Sequence, residues 1–171
     1  EIYNRKIEGS VAEVGVYRGD FAALINKLFP DRKLYLFDTF EGFDERDKSV
    51  ERQKNFSDAS QDFSNTSIDI VLKKMKYKEN VIIRKGYFPE TAVGIDDKFC
   101  FVSIDVDLYQ PTKAALEFFY EKLVRGGYIF VHDFNNIVYK GIRQAVYEFV
   151  EKYKINFFPL TDSCGSAIIM K

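Results

Sequence analysis

Tryptophan is absent from this chain of 171 residues, and cysteine, histidine and proline are scarce, at two, one and four copies. Each scarcity excludes something. Cys100 and Cys164 form neither a CxxC pair nor a framework of bridges, so a reducing, cytoplasmic setting is expected. Neither sign of charge dominates: a formal net charge of −1 offers no basic excess for nucleic acid or an anionic membrane. Long hydrophobic runs are missing too. The longest, such as YIFV at Tyr128–Val131, are strand-sized, well short of the roughly 20 residues that span a bilayer. No signal peptide opens the chain, and Glu1 in place of Met points to an N-terminal piece removed or missing. What is abundant is core material. Hydrophobic residues make up 46%, with 17 Phe and 11 Tyr, enough for one domain spanning residues 1–171.

Strand and helix patterns alternate along the chain. VAEVGVY (Val11–Tyr17) reads as a strand, followed by a helix with Phe21, Leu24, Ile25 and Leu28 on one face, stopped by Pro30 and Asp31. KLYLFD is a second strand ending at Asp38, and a polar excursion from Glu41 to Ser64 follows, either a lid loop or a loop with a short helix. Thr66–Asp69 is a capping box for a helix carrying Ile68, Val71, Leu72 and Met75. NVIIRKGY and FCFVSIDVD are strands three and four, the latter a nearly continuous apolar run suited to a buried parallel strand. Pro111 opens a helix expected to end at Gly126–Gly127. YIFVHDF is a fifth strand, Tyr139–Lys154 a helix, and NFFPLTD with SAIIMK a closing antiparallel hairpin. This order predicts an α/β fold: a Rossmann-like, seven-stranded, mostly parallel sheet with helices on both faces.

In open α/β sheets ligands sit outside the carboxyl ends of the strands, so the residues at those ends are the candidates. Gly15 and Gly19 flank Tyr17 between strand one and its helix. Glycines there permit positive φ and close approach of a ligand to the helix N-terminus, though a bare structural turn explains them equally well. The spacing is not GxGxxG, and no Lys-Ser/Thr follows, so this is no phosphate-cradling loop. Glu13, inside an apolar strand, needs donors: the loop amides or a ligand's amino group. Asp38, with Thr39 beside it, lies about 20 residues beyond the glycine turn, the place of an acid that binds adenosine ribose hydroxyls. Gly86, Tyr87 and Phe88 follow strand three, where aromatic faces could stack on adenine or pack into the core. NAD and S-adenosylmethionine both suit the glycine turn and spaced acid. The missing GxGxxG and the closing hairpin favour the latter.

AEVGVYRGDFA, LFDTFEGF, GYFPET, IDVDLYQPTKAALEFFYEKLVRGGYIFVHDF and GIRQAV together resemble the macrocin and mycinamicin O-methyltransferase family, in order from Val11 to Val146. The resemblance implies a class I S-adenosylmethionine-dependent methyltransferase that acts on sugar hydroxyls. It also implies a divalent metal, usually magnesium, with Asp105 as one ligand and Asp133 as another. The family usually has two acids at the latter place, where this chain has His132-Asp133. His132 is therefore expected either to join Asp105 and Asp133 as a ligand, favouring a softer ion such as manganese, or to serve as general base. Asp105 also faces the cofactor in this reading, and Asp107 only orients its neighbours. The family's helical N-terminal lid is missing or truncated, since about ten residues precede strand one. The expected partner is a small-molecule sugar or glycoside, without nucleic acid or membrane, and with room for a homo-oligomer. An NAD-dependent oxidoreductase and a non-catalytic adenosyl-binding module are the alternatives.

Overall fold

The computed structural model describes every residue from Glu1 to Lys171. Seven strands form one sheet: β1 (Ser10–Val14), β2 (Leu34–Asp38), β3 (Val81–Lys85), β4 (Phe99–Ile104), β5 (Leu123–Val131), β6 (Phe158–Pro159) and β7 (Ala167–Met170). Their spatial order is β3-β2-β1-β4-β5-β7-β6. The first five run parallel, and β7 pairs antiparallel with both β5 and β6. The order reverses beside β1, so a crevice opens where the chain leaves β1 for one side and β4 for the other.

Five α-helices cover the sheet: α1 (Asp20–Leu28), α2 (Glu45–Gln53), α3 (Ile68–Lys74), α4 (Tyr109–Lys122) and α5 (Gly141–Tyr153). Side chains alternate along each strand, so each central strand feeds two cores. Val11, Leu34 and Leu36 pack with Ile25 of α1 and Val71 of α3 on one face. Ala12, Val14, Phe37 and Val102 pack with Leu116 and Phe119 of α4 and Ile142 and Val146 of α5 on the other. Phe37, Phe88, Phe99 and Phe119 meet mostly edge-to-face within the second core. No helix is long and apolar enough to cross a membrane.

Several boundaries differ from the sequence reading, and three have a visible physical cause. β1 ends at Val14, because Gly15 already has a φ of 84° and turns the chain. The fourth helix begins at Tyr109 and stops at Lys122 instead of reaching the Gly126–Gly127 pair. Those glycines lie inside β5, where the register against β4 breaks: Phe99 faces Leu123, but Phe101 faces Tyr128. Gly126, at a φ of 82°, absorbs the extra residues. The last helix begins at Gly141, two residues late, since Asn136 Oδ1 accepts from the backbone N–H of Val138 and Tyr139 and holds them in a turn.

Candidate active site

A cavity of about 500 Å³ opens over the carboxyl ends of β1, β2, β4 and β5, a size usual for small-molecule sites. Its roof is the polar excursion, which contains the helix α2. The sequence of α2, ERDKSVERQ, has almost no apolar residue, so its hydrophobic signal is faint. It is set instead by its N-cap, Asp44, whose side chain accepts from Arg46 N. Phe43, Asp44, Asp47, Gln61 and Phe63 from this roof line the cavity. The roof is fastened to the glycine loop: Phe63 packs edge-on to Tyr17 at 5.2 Å, and Thr66 Oγ1 donates to Tyr17 O.

The two glycines of that loop answer mainly to the protein itself. A Cβ on Gly15 would lie 1.9 Å from the carbonyl oxygen of Asp105, in a backbone with positive φ that side chains disfavour. Gly15 does line the cavity. Gly19, expected at the cofactor, does not line it: a Cβ there would press on Val71 of α3. Close packing of β1 on β4 and of α1 on α3 therefore requires this pair.

Asp38 also does more than expected. Its Oδ2 accepts from Val16 N and Tyr17 N at 2.7 and 2.8 Å, and its Oδ1 from Phe40 N at 2.6 Å. A carboxylate offers roughly four acceptor sites. Three are filled by backbone, which leaves room for one ligand hydroxyl on Oδ1 where two were expected. Thr39 lines the cavity too, but its hydroxyl closes the turn by donating to Gly42 O. Because Asp38 holds the loop amides, Glu13 does not. Glu13 is 2% exposed, faces the cavity, and its Oε2 is buried without a hydrogen-bond partner. Burial, then the charges of Asp105 and Asp38, push its carboxyl well above the usual range.

At β3, Gly86, Tyr87 and Phe88 all border the cavity. Phe88 is a core residue, edge-on to Phe37 and Phe118, so its ring is not free to stack on a base. Tyr87 has one face covered by the Arg46 guanidinium at 3.5 Å, and its hydroxyl donates to Asp47 Oδ1 at 3.1 Å.

The acid cluster differs in membership from the sequence reading. Asp105, Asp107 and Asp133 each offer an oxygen within 4.8 Å of the others, and all three border the cavity. His132 is not part of the cluster and does not line the cavity. The cause is strand alternation. His132 N still donates to Ile104 O at 2.9 Å in the ladder, so its side chain leaves on the face opposite Val131, toward α1. There its ring meets Phe21 edge-on at 5.2 Å, with Nε2 buried and unpartnered. Asp133, at a φ of 57°, breaks the alternation and turns inward. Asp107 lies beyond the end of β4 with a φ of 59°, so strand alternation alone could not assign it to the cluster.

Burial pushes Asp107 up to about 8, with Asp105 and Asp133 adding to the rise, and it raises Asp105 as well. Crowded carboxylates without a cation must share protons. An all-oxygen donor set of this kind suits magnesium or manganese, and Asp105, Asp107 and Asp133 fit such an ion. Asn136, Tyr139 and Cys164, none of them anticipated, border the cavity beside the cluster.

The pattern of known proteins agrees with this architecture. A profile of the macrocin-O-methyltransferase (TylF) family matches residues 1–167. The chain belongs to this family. A curated relative, 8-demethyl-8-(2,3-dimethoxy-alpha-L-rhamnosyl)-tetracenomycin-C 4'-O-methyltransferase of Streptomyces olivaceus, is 23% identical over 182 residues, covering 96% of this chain. The chain spans 66% of that relative's length. The O-methyltransferase NovP superposes with a TM-score of 0.79 at 20% identity, over 99% of this chain and 74% of NovP. CalS11, a calicheamicin methyltransferase, superposes with a TM-score of 0.77 at 20% identity, over 99% and 75%. Both likenesses establish the Rossmann-like methyltransferase fold for this member of the TylF family.

Proposed function

We propose that this chain carries an S-adenosylmethionine-dependent O-methyltransferase activity toward a hydroxyl of a sugar or glycosylated small molecule, assisted by a divalent cation. One observation carries the reading: a single cavity joins an unpartnered buried carboxyl, Glu13, to the three-carboxylate cluster of Asp105, Asp107 and Asp133. Membership of the TylF family supports it, as does the rhamnosyl substrate in the name of the curated relative. The NAD-dependent alternative gains no support from either.

When bound, the cofactor supplies an electrophilic methyl group, and the cation a Lewis acid that lowers the acceptor hydroxyl's pKa. The chain's own residues bind and orient. Glu13 Oε2 would accept a hydrogen bond from the cofactor's ammonium, which would satisfy a buried acceptor that is otherwise costly. Asp38 Oδ1 would take one ribose hydroxyl while its other bonds keep the loop amides in place. Asp105 and Asp133 would hold the cation, and Asp107, between β4 and α4, would offer the carboxylate oxygen that takes the acceptor's proton. The roof of Phe43 and Phe63 excludes water and fixes the acceptor's approach, where positioning accounts for much of the rate.

Calorimetry with S-adenosylmethionine and with NAD tests the cofactor, and turnover on a panel of rhamnosides and related glycosides tests the reaction. Binding of S-adenosylmethionine and methyl transfer that stops on chelation and returns with Mg2+ or Mn2+ is expected. Tight NAD binding in its place would overturn the reading, and a chelator-insensitive rate would remove the cation from it.

A further inference from the structure

Three acids of the cavity have no part in the catalytic reading; Asp20 and Asp44 are ion-paired with Lys74 and Arg46, which leaves Asp47 without a cationic partner. It sits on α2 in the roof, only 5% exposed, and its carboxylate faces the cavity. Its hydrogen-bond partner is Tyr87, whose hydroxyl donates to Oδ1 at 3.1 Å; Oδ2 receives none. Arg46, next in the chain, does not neutralise it. The Arg46 guanidinium is turned outward, paired with Asp44 and Glu90 and laid on the ring of Tyr87. Asp44 and Glu51 add negative charge from the same roof. Oδ2 is not sealed in the core but stays accessible, and since Asp47 lines the cavity a ligand donor can replace water on it.

Position identifies that donor. Along the cavity the acids come in sheet order: the Asp105 cluster beside β4 and β5, Glu13 in β1, Asp38 at the end of β2, and Asp47 over the turn that follows β3. A ligand with its ammonium at Glu13 and its ribose at Asp38 carries its base one strand further, toward Gly86 and Tyr87. Apolar side chains border the cavity on that side, Phe37 of β2 and Phe88 after β3, which meet edge-on. A planar base lying against this apolar border would bring its polar edge within reach of Asp47, which Tyr87 holds over the same turn.

We infer that Asp47 is a specificity-determining residue, which selects an adenine base by accepting a hydrogen bond from its exocyclic amino group on Oδ2, held in place by the Tyr87 hydroxyl on Oδ1. The inference rests on the proposed S-adenosylmethionine reading and deepens it. A base with a carbonyl at the same position would set oxygen against oxygen and be rejected. A buried polar group left unmatched gives strong discrimination of this sort.

The test compares S-adenosylhomocysteine with S-inosylhomocysteine, in which a carbonyl replaces the amino group, by calorimetry on the full chain. Wild type is expected to prefer the adenosyl compound by tenfold or more, on the order of one charge-assisted hydrogen bond. D47N presents an amide that can donate, and should lose about tenfold on the adenosyl compound while gaining on the inosyl one. Y87F, which frees Asp47 to rotate, should narrow the preference without reversing it. Equal wild-type affinities overturn the inference whatever the variants do, as does a D47N preference equal to wild type. Failure of wild type to bind either compound strikes the underlying cofactor reading instead, and is distinguishable for that reason.

Discussion

The two ends of the cavity are built on opposite principles. At the glycine loop the backbone is tied down within the protein, with Glu13 Oε2 the buried exception: Asp38 takes three backbone N–H groups, and Gly15 N donates to Phe37 O at 2.9 Å. At the far end three carboxylates face one another, with no cationic side chain in the cluster. One end is preformed and the other is electrically incomplete. A closed network holds its shape without a ligand, whereas crowded acids are stable only with protons or a cation between them. The loop is thus a rigid frame, and the cluster a place where binding energy can be delivered.

The sharpest way to break this contrast is Gly15→Ala, because Gly15 joins the two ends. A methyl 1.9 Å from the Asp105 carbonyl oxygen forces β1 and β4 apart, and a loss of about 3–5 kcal/mol is expected in chemical denaturation. A loss below about 1 kcal/mol would show that the strand ends yield easily. Next comes Asp38→Ala, which strands the Val16, Tyr17 and Phe40 amides. It should cost about 2–4 kcal/mol in the absence of any ligand. An effect seen only on cofactor affinity would mean that Asp38 serves the ligand alone.

The cluster should respond to ions where the loop does not. Mg2+ or Mn2+ at a hundred times its dissociation constant is expected to add about 2.7 kcal/mol of stability, and Asp105→Asn or Asp133→Asn to abolish that gain. Unaltered melting of wild type over a titration of both ions would leave the cluster without its cation. The smallest effect is on pH dependence. Asp107 is pushed up to about 8 and Asp47 to about 6, chiefly by burial. The folded, ion-free chain therefore holds protons that the unfolded chain releases near pH 4. The sign follows: stability falls as pH rises from about 4 through 8. Asp107→Asn should flatten the upper part of that slope, and a slope unchanged by the substitution would move the titration to another group.

Much of the frame was legible in the chain. Apolar runs such as FCFVSI and the stripe of Ile142, Val146 and Phe149 declare their elements, because burial of one face imposes a period on the sequence. α2 was hardly legible, since its nine residues bury Asp47 and Glu51 in place of apolar groups and so carry no hydrophobic period. The stop of α4 at Lys122 was masked by the Gly126–Gly127 pair, which looks like a helix end yet lies in a strand.

By itself the sequence determined the succession of strands and helices and which acids stand at strand ends, because those follow from local periodicity and from residue types at turns; the family was legible only through the resemblance of its motifs. Tertiary structure alone decided which of them meet. Whether Asp107 or His132 joins Asp105 and Asp133 depends on the pleat and on the positive φ of Asp107 and Asp133 at the strand ends. Whether Asp38 serves a loop or a ligand depends on how β1 lies beside β2. Convergence of side chains is a property of neighbouring strands, and residues far apart in the chain become neighbours only when the sheet is assembled.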